Sequence, residues 1–138
     1  MLTRVLFALV LAVASLPAWA EDAKVLALGL ADHEVTQEEL DKGTSLPTPH
    51  FNSPAVAYAS VANLKKGDVV EITLVNGDRR LLHNTESLAE DQPKYLLQAG
   101  KRGVPAGGWP EGSYHAALTV TRDGKILIEQ SSPPIPFD

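Results

Sequence analysis

The 138-residue sequence contains no cysteine, and its single methionine is Met1. Disulfides, thiol chemistry and cysteine acylation are therefore excluded. Small exported domains often rely on disulfides, so this chain must rely on packing. Positive charge is also in short supply, with 12 Lys and Arg against 17 Asp and Glu. Nucleic-acid binding needs a basic face that displaces counterions. The doublets Lys65-Lys66, Arg79-Arg80 and Lys101-Arg102 are too short and scattered to make one, and read as solvated turns. Catalytic signatures are missing too. There is no G-x-S-x-G elbow, P-loop, H-E-x-x-H or C-x-x-C, and no cofactor motif. The sequence reads as that of a non-enzymatic protein.

Long apolar runs are absent except in the first twenty residues, MLTRVLFALVLAVASLPAWA. Arg4 supplies a positive start, Val5 to Leu16 is almost unbroken apolar sequence, and Ala18-Trp19-Ala20 fits an A-x-A cleavage site. The apolar run is shorter than the roughly 20 residues that span a bilayer. Residues 1–20 are thus expected to be a secretory signal peptide, with 21–138 a single mature domain in a bacterial periplasm or outside the cell. Losing Arg4 with the leader leaves 11 basic against 17 acidic side chains.

The remainder alternates as strands do. KVLALGL, residues 24–30, is a plausible first strand. Thr36-Gln37-Glu38-Glu39 is a capping box that starts a short helix over Gln37 to Lys42, with Gly43 placed to end it. Three prolines make 45–54 irregular or extended. In AVAYASVANL, Val56, Tyr58 and Ser60 alternate with Ala57, Ala59 and Val61, and the alanines suggest a strand close against its neighbour. In DVVEITLV, Val70, Ile72 and Leu74 share one face. Asn76-Gly77 predicts a two-residue type I′ hairpin, which sets Ile72 opposite Leu81 and Val70 opposite His83. Residues 85–92 read as a loop or a helical turn, and Lys94 to Gly100 as a strand. In YHAALTV, Tyr114, Ala116, Leu118 and Val120 share a face. A three-residue turn with a Gly124 bulge is expected after it, setting Ile126 opposite Val120 and Ile128 opposite Leu118.

The punctuation before that strand, GGWPEGSYHA, has a further reading. W-P-x-G-x-Y-x-A resembles the tyrosine corner of immunoglobulin-like and fibronectin-type sandwiches, with Tyr114 as the corner residue and Ala116 as the buried small one. The antibody-type cysteine pair is missing, and so is a tryptophan on the Val69 to Val75 strand. The resemblance implies an all-β, immunoglobulin-like antiparallel sandwich of about seven strands with one short helical segment. For function it implies a binding or accessory module that recognises a protein, an envelope component or a glycan. Its contact residues are expected in the glycine-rich loop 101–110, at Lys101, Arg102 and Trp109, since arginine and tryptophan are favoured at binding hot spots. The alternative place for Trp109 is packed against the sandwich end. A second functional reading is a small copper- or zinc-handling protein using His83, His115 and His50, although the histidines share no ligand spacing.

Overall fold

A computed structural model describes residues 22–43, 45–101 and 103–138. The expected signal peptide lies outside the described residues. All strand pairs are antiparallel. One sheet has the order β1 (Lys24–Ala31), β2 (Ala55–Leu64), β5 (Gln92–Lys101). The other has β4 (Arg79–Ser87), β3 (Val69–Asn76), β6 (Ser113–Arg122) and β7 (Lys125–Ser131), with the two-residue β8 (Ile135–Pro136) also pairing with β6. The chain is therefore an all-β sandwich with one short helix, as the alternation predicts. The fourth strand stays beside the third. In constant-type immunoglobulin domains it joins the first sheet instead.

The core is the inward face of each alternating segment. Val70, Ile72 and Leu74 of β3 meet Tyr114, Ala116, Leu118 and Val120 of β6 in one layer, and Ala55, Ala57, Ala59 and Val61 of β2 supply the other. Small side chains along the middle strand of the first sheet let the two sheets approach closely. Burial of this surface, at about 25 cal/mol per Å² of apolar area, is the main force holding the layers.

Three expectations about register need correction. The β3–β4 loop is Gly77-Asp78, not Asn76-Gly77. Asn76 remains in the strand opposite Tyr114, where its amide donates to the Glu111 carbonyl at 3.3 Å. Gly77 then takes the positive φ of the first loop position, the type II′ requirement. A bulge past Val75 sets His83 opposite Thr73, and Val70 faces Glu86. Second, residues 85–87 continue β4 rather than forming a loop. They are polar because β4 is an edge strand. Asn84, level with Ile72, spends its amide on the Gln98 carbonyl of β5 at 2.9 Å, stapling the two sheets. Third, the β6–β7 loop has two residues, Asp123 and Gly124, both at positive φ. The bulge falls at Leu127 instead, so Ile128 faces Val120 while Ile126 is left exposed opposite Thr121.

The far end of the sandwich is tied by one ion pair. Asp68, in the β2–β3 turn, is fully buried. Its carboxylate accepts from Arg122 Nε and Nη2, both at 2.8 Å, and from the Lys65 backbone N–H at 2.8 Å. The Arg122 guanidinium holds the Asp68 carboxyl below its usual range.

The connection from β1 to β2 does not simply turn. It crosses the outer face of the three-stranded sheet as a strap that contains α1 (Gln37–Asp41). The capping box forms as expected: Thr36 Oγ1 accepts from the Glu39 N–H, and Glu39 accepts from the Thr36 N–H. The strap is docked by polar side chains standing on that outer face. Gln98 of β5 pairs with the Val35 backbone at both ends of its amide, at 2.7 and 2.8 Å. Gln37 contacts Ser60 of β2 at 3.2 Å, and Asp41 contacts Lys94 of β5 at 3.0 Å.

Candidate functional site

The glycine-rich loop sits at the sandwich end where β6 begins. Tyr114 is buried, and its hydroxyl donates to the Pro110 carbonyl four residues upstream. This is the tyrosine-corner bond that the W-P-x-G-x-Y pattern implies. Gly112 is required beside it. It has φ +147°, and a Cβ there would stand 2.0 Å from Asn76 Oδ1.

Trp109 lies inside this end and not on its surface. The residue is 7% exposed, and its indole N–H donates to the Ser53 carbonyl at 2.7 Å. Its ring meets Tyr114 edge-on at 6.4 Å and Phe137 edge-on at 6.1 Å. Phe137 in turn stacks on Tyr114 at 3.7 Å. Three rings therefore plug the sandwich end, and the two edge-on contacts of Trp109 have the orientation that aromatic quadrupoles favour. Of the two places open to Trp109, the packed one is occupied. The Lys101 side chain and the whole of Arg102 lie outside the described residues.

The exposed aromatic of this loop cluster is Phe51, which the sequence reading passed over. The residue is 47% exposed. The backbone beneath it is fixed at both ends: the Phe51 carbonyl accepts from the Trp109 N–H at 2.7 Å, and its N–H donates to the Asp138 carbonyl at 3.1 Å. The His50–Ser53 turn holds it from the other side, with Ser53 N–H donating to the His50 carbonyl at 3.1 Å and the His50 N–H to Ser53 Oγ at 2.8 Å. Gly108, at φ +90°, provides the seat. A Cβ at that position would come within 2.6 Å of Phe51 Cδ2, so the ring lies directly on glycine backbone. Val104, on the same loop, is also exposed. The available signal was a single phenylalanine between prolines, which carries no periodicity.

The histidines are not brought together. His83 stands opposite Thr73 on β4 and His115 opposite Val75 on β6, on either side of β3. His50 is in the exposed turn beside Phe51, with Nδ1 3.3 Å from the Asp138 carbonyl. Among the described residues no group of three histidine, cysteine or acidic side chains is arranged to hold a metal ion. His33 lies between two carboxylates. Its Nδ1 is 2.8 Å from Asp32 Oδ1 and its Nε2 is 2.8 Å from Glu39 Oε2. Two ionised carboxylates can only accept, so both bonds together require an imidazolium with two N–H donors. The two hydrogen bonds, to Asp32 first and then Glu39, raise the His33 pKa above its ordinary value. With both nitrogens committed, this histidine has no lone pair to offer as a base.

A cleft of about 450 Å³ adjoins it on the outer face of the first sheet, lined by Asp32, His33, Glu34, Val56, Gln98 and Gly100. A second, of about 430 Å³, runs between the strap and the edge of β1, with Leu28, Leu30, Leu40, Leu46 and Tyr58 among its walls. Among the described residues no helix is long and apolar enough to cross a membrane. No protein family matches the chain, and no curated protein matches its sequence.

Proposed function

We propose that this protein is an exported, periplasmic or secreted, non-catalytic binding module that recognises a protein, an envelope component or a glycan through the loop end of its sandwich. The observation that carries the reading is the seating of Phe51. An exposed phenyl ring on glycine backbone, fixed by backbone bonds on both sides, offers apolar contact area with little entropy left to lose on binding. Recognition on such folds belongs to loops held by a rigid scaffold. The neighbouring exposed side chains, His50 and Asn52, add hydrogen-bonding capacity beside the ring. Trp109 supports the platform from below and is not itself the contact.

The test compares three variants of the mature chain in capture from a solubilised envelope fraction and on a panel of envelope glycans. Phe51→Ala should fold normally and lose most of the capture. Arg102→Ala should keep its stability within about 0.5 kcal/mol and weaken capture. Trp109→Ala should lose about 3–5 kcal/mol of stability as a truncated buried aromatic, with capture by the folded fraction retained. Wild-type capture by both Phe51→Ala and Arg102→Ala refutes the loop end as the binding site.

A further inference from the structure

The strap that crosses the first sheet carries a histidine held between two carboxylates, and what it covers is unusual for an outer face. Val56, Tyr58 and Ser60 of β2 point away from the core, yet Val56 and Ser60 are buried. Glycines stand where these two strands meet larger neighbours: a Cβ on Gly29 would lie 2.9 Å from Tyr58 Oη, and one on Gly100 would lie 2.6 Å from Val56 Cγ2. The face is thus built to be closed over, and the strap closes it.

Among the described residues, three contacts dock the strap on the sheet and a fourth ties the strap within itself. Gln98 with Val35, and Gln37 with Ser60, are neutral. In the Asp41–Lys94 pair at 3.0 Å, the hydrogen bonds from Gln37 and Lys94 hold the Asp41 pKa below its ordinary value. The fourth contact is His33, at the junction where β1 ends and the strap begins. Asp32 holds one ring nitrogen and Glu39 the other. Glu39 is also the carboxylate that caps α1 through the Thr36 N–H. The imidazolium therefore ties the start of the strap to the first turn of its helix. The following groups face it among the described residues. Asp32 is the first residue after β1, Glu39 comes from α1 and Glu34 from the strap itself, while Pro54 before β2, Val56 of β2, and Gln98 and Gly100 of β5 carry no charge. Arg102, two residues beyond Gly100, lies outside the described residues.

We propose that the strap is a proton-operated latch over the outer face of the first sheet, closed while His33 is an imidazolium and loosened when it becomes neutral. A neutral ring keeps one N–H, so one of the two carboxylates is left facing a nitrogen lone pair. The tie between the start of the strap and α1 then breaks, and Glu39 keeps its capping role. The direction follows from the raised His33 pKa: the contribution is complete in mildly acidic solution and is lost as pH rises through the folded-state value. On the acid side Glu39 sets the other limit, because its pKa is lowered by His33 and by the Thr36 N–H. The latch is therefore closed between the protonation of Glu39 and the deprotonation of His33, and opening uncovers Ser60 and Val56.

The absence of native cysteine makes a direct test possible. In a Ser60→Cys variant the thiol lies under the strap, and its alkylation rate reports opening. The rate is divided at each pH by that of an exposed control thiol in Lys66→Cys, which removes the effect of thiol ionisation. Between about pH 6 and pH 9 the normalised rate should rise on the order of tenfold, in a single step, as the charge-assisted bond is lost. Adding His33→Gln should abolish the step. A flat normalised rate overturns the latch, and so does an equal step in the His33→Gln background. Should Ser60→Cys fail to fold, amide exchange of Val35 to Leu40 in the unmodified protein, corrected for intrinsic pH dependence, reads the same opening. No step in that exchange likewise overturns the proposal.

Discussion

Replacing Asp68 with alanine should be among the most damaging single changes in the far half of the sandwich, and its size can be worked from the contacts. The carboxylate is fully buried and accepts three hydrogen bonds, two from Arg122 and one from the Lys65 N–H. Removing one partner of a buried ion pair costs about 3–5 kcal/mol, because the other charge is left without compensation. Here the Arg122 side chain is 29% exposed, so the orphaned guanidinium can rehydrate in part. That places the loss near the lower limit, about 3 kcal/mol. In urea, with m of about 1–1.5 kcal/mol/M for a domain of this size, the midpoint should fall by about 2–3 M. The pH dependence carries an independent sign. The Asp68 pKa is depressed by Arg122, so the stabilisation is present above the unfolded carboxylate value of about 3.9. It is lost as pH falls through the depressed folded value. The gap between wild type and Asp68→Ala should therefore stay constant from neutral pH to about pH 4 and narrow below it. Adding Arg122→Met to Asp68→Ala should cost less than Arg122→Met alone, since the stranded charge goes with it. A midpoint shift under about 0.5 M, or strict additivity of the two substitutions, refutes the reasoning.

Two further expectations concern the loop end and the β6–β7 hairpin. Tyr114→Phe should keep the fold and lower the urea midpoint by the equivalent of about 1–1.5 kcal/mol, because the Pro110 carbonyl loses its donor while the stacking on Phe137 remains. Gly124→Val should destabilise more than Gly124→Asn in thermal unfolding. Gly124 has φ +79° with open space around it, so the penalty comes from backbone conformation, which asparagine tolerates and valine does not.

What the sequence made legible was local. The inward faces of β2, β3 and β6 follow from strict alternation, because a period of two leaves no other way to bury Val70, Ile72 and Leu74 together. The capping box at Thr36 and the corner at Tyr114 are each closed by residues three or four positions apart. Register was less accessible, because Asn76 is held in its strand by the Glu111 carbonyl, 35 residues away. An Asn-Gly pair is a strong loop signal in isolation, and a tertiary contact overrode it. The strap was hidden for the same reason. Its docking depends on Gln98 reaching Val35 across 63 residues, and a lone glutamine on a strand announces nothing.

The exchange of roles between Trp109 and Phe51 illustrates the physics of such a choice. Both are aromatic and both lie in segments rich in glycine or proline, so composition ranks tryptophan first as a contact residue. Burial decides otherwise. An indole can go inside only if its N–H finds an acceptor, and the Ser53 carbonyl provides one at 2.7 Å. That same turn carries Phe51, so the residues that satisfy Trp109 also set the direction in which Phe51 leaves the chain. The backbone bond from Trp109 N–H to the Phe51 carbonyl links the two, and the Phe51 ring lies where a Cβ on Gly108 would stand. Swapping the pair would require a larger, polar-tipped ring to lie on the glycine seat and would leave the Ser53 carbonyl without its indole donor. The larger ring is therefore the buried plug and the smaller one stays exposed, with the indole held by a hydrogen bond across 56 residues.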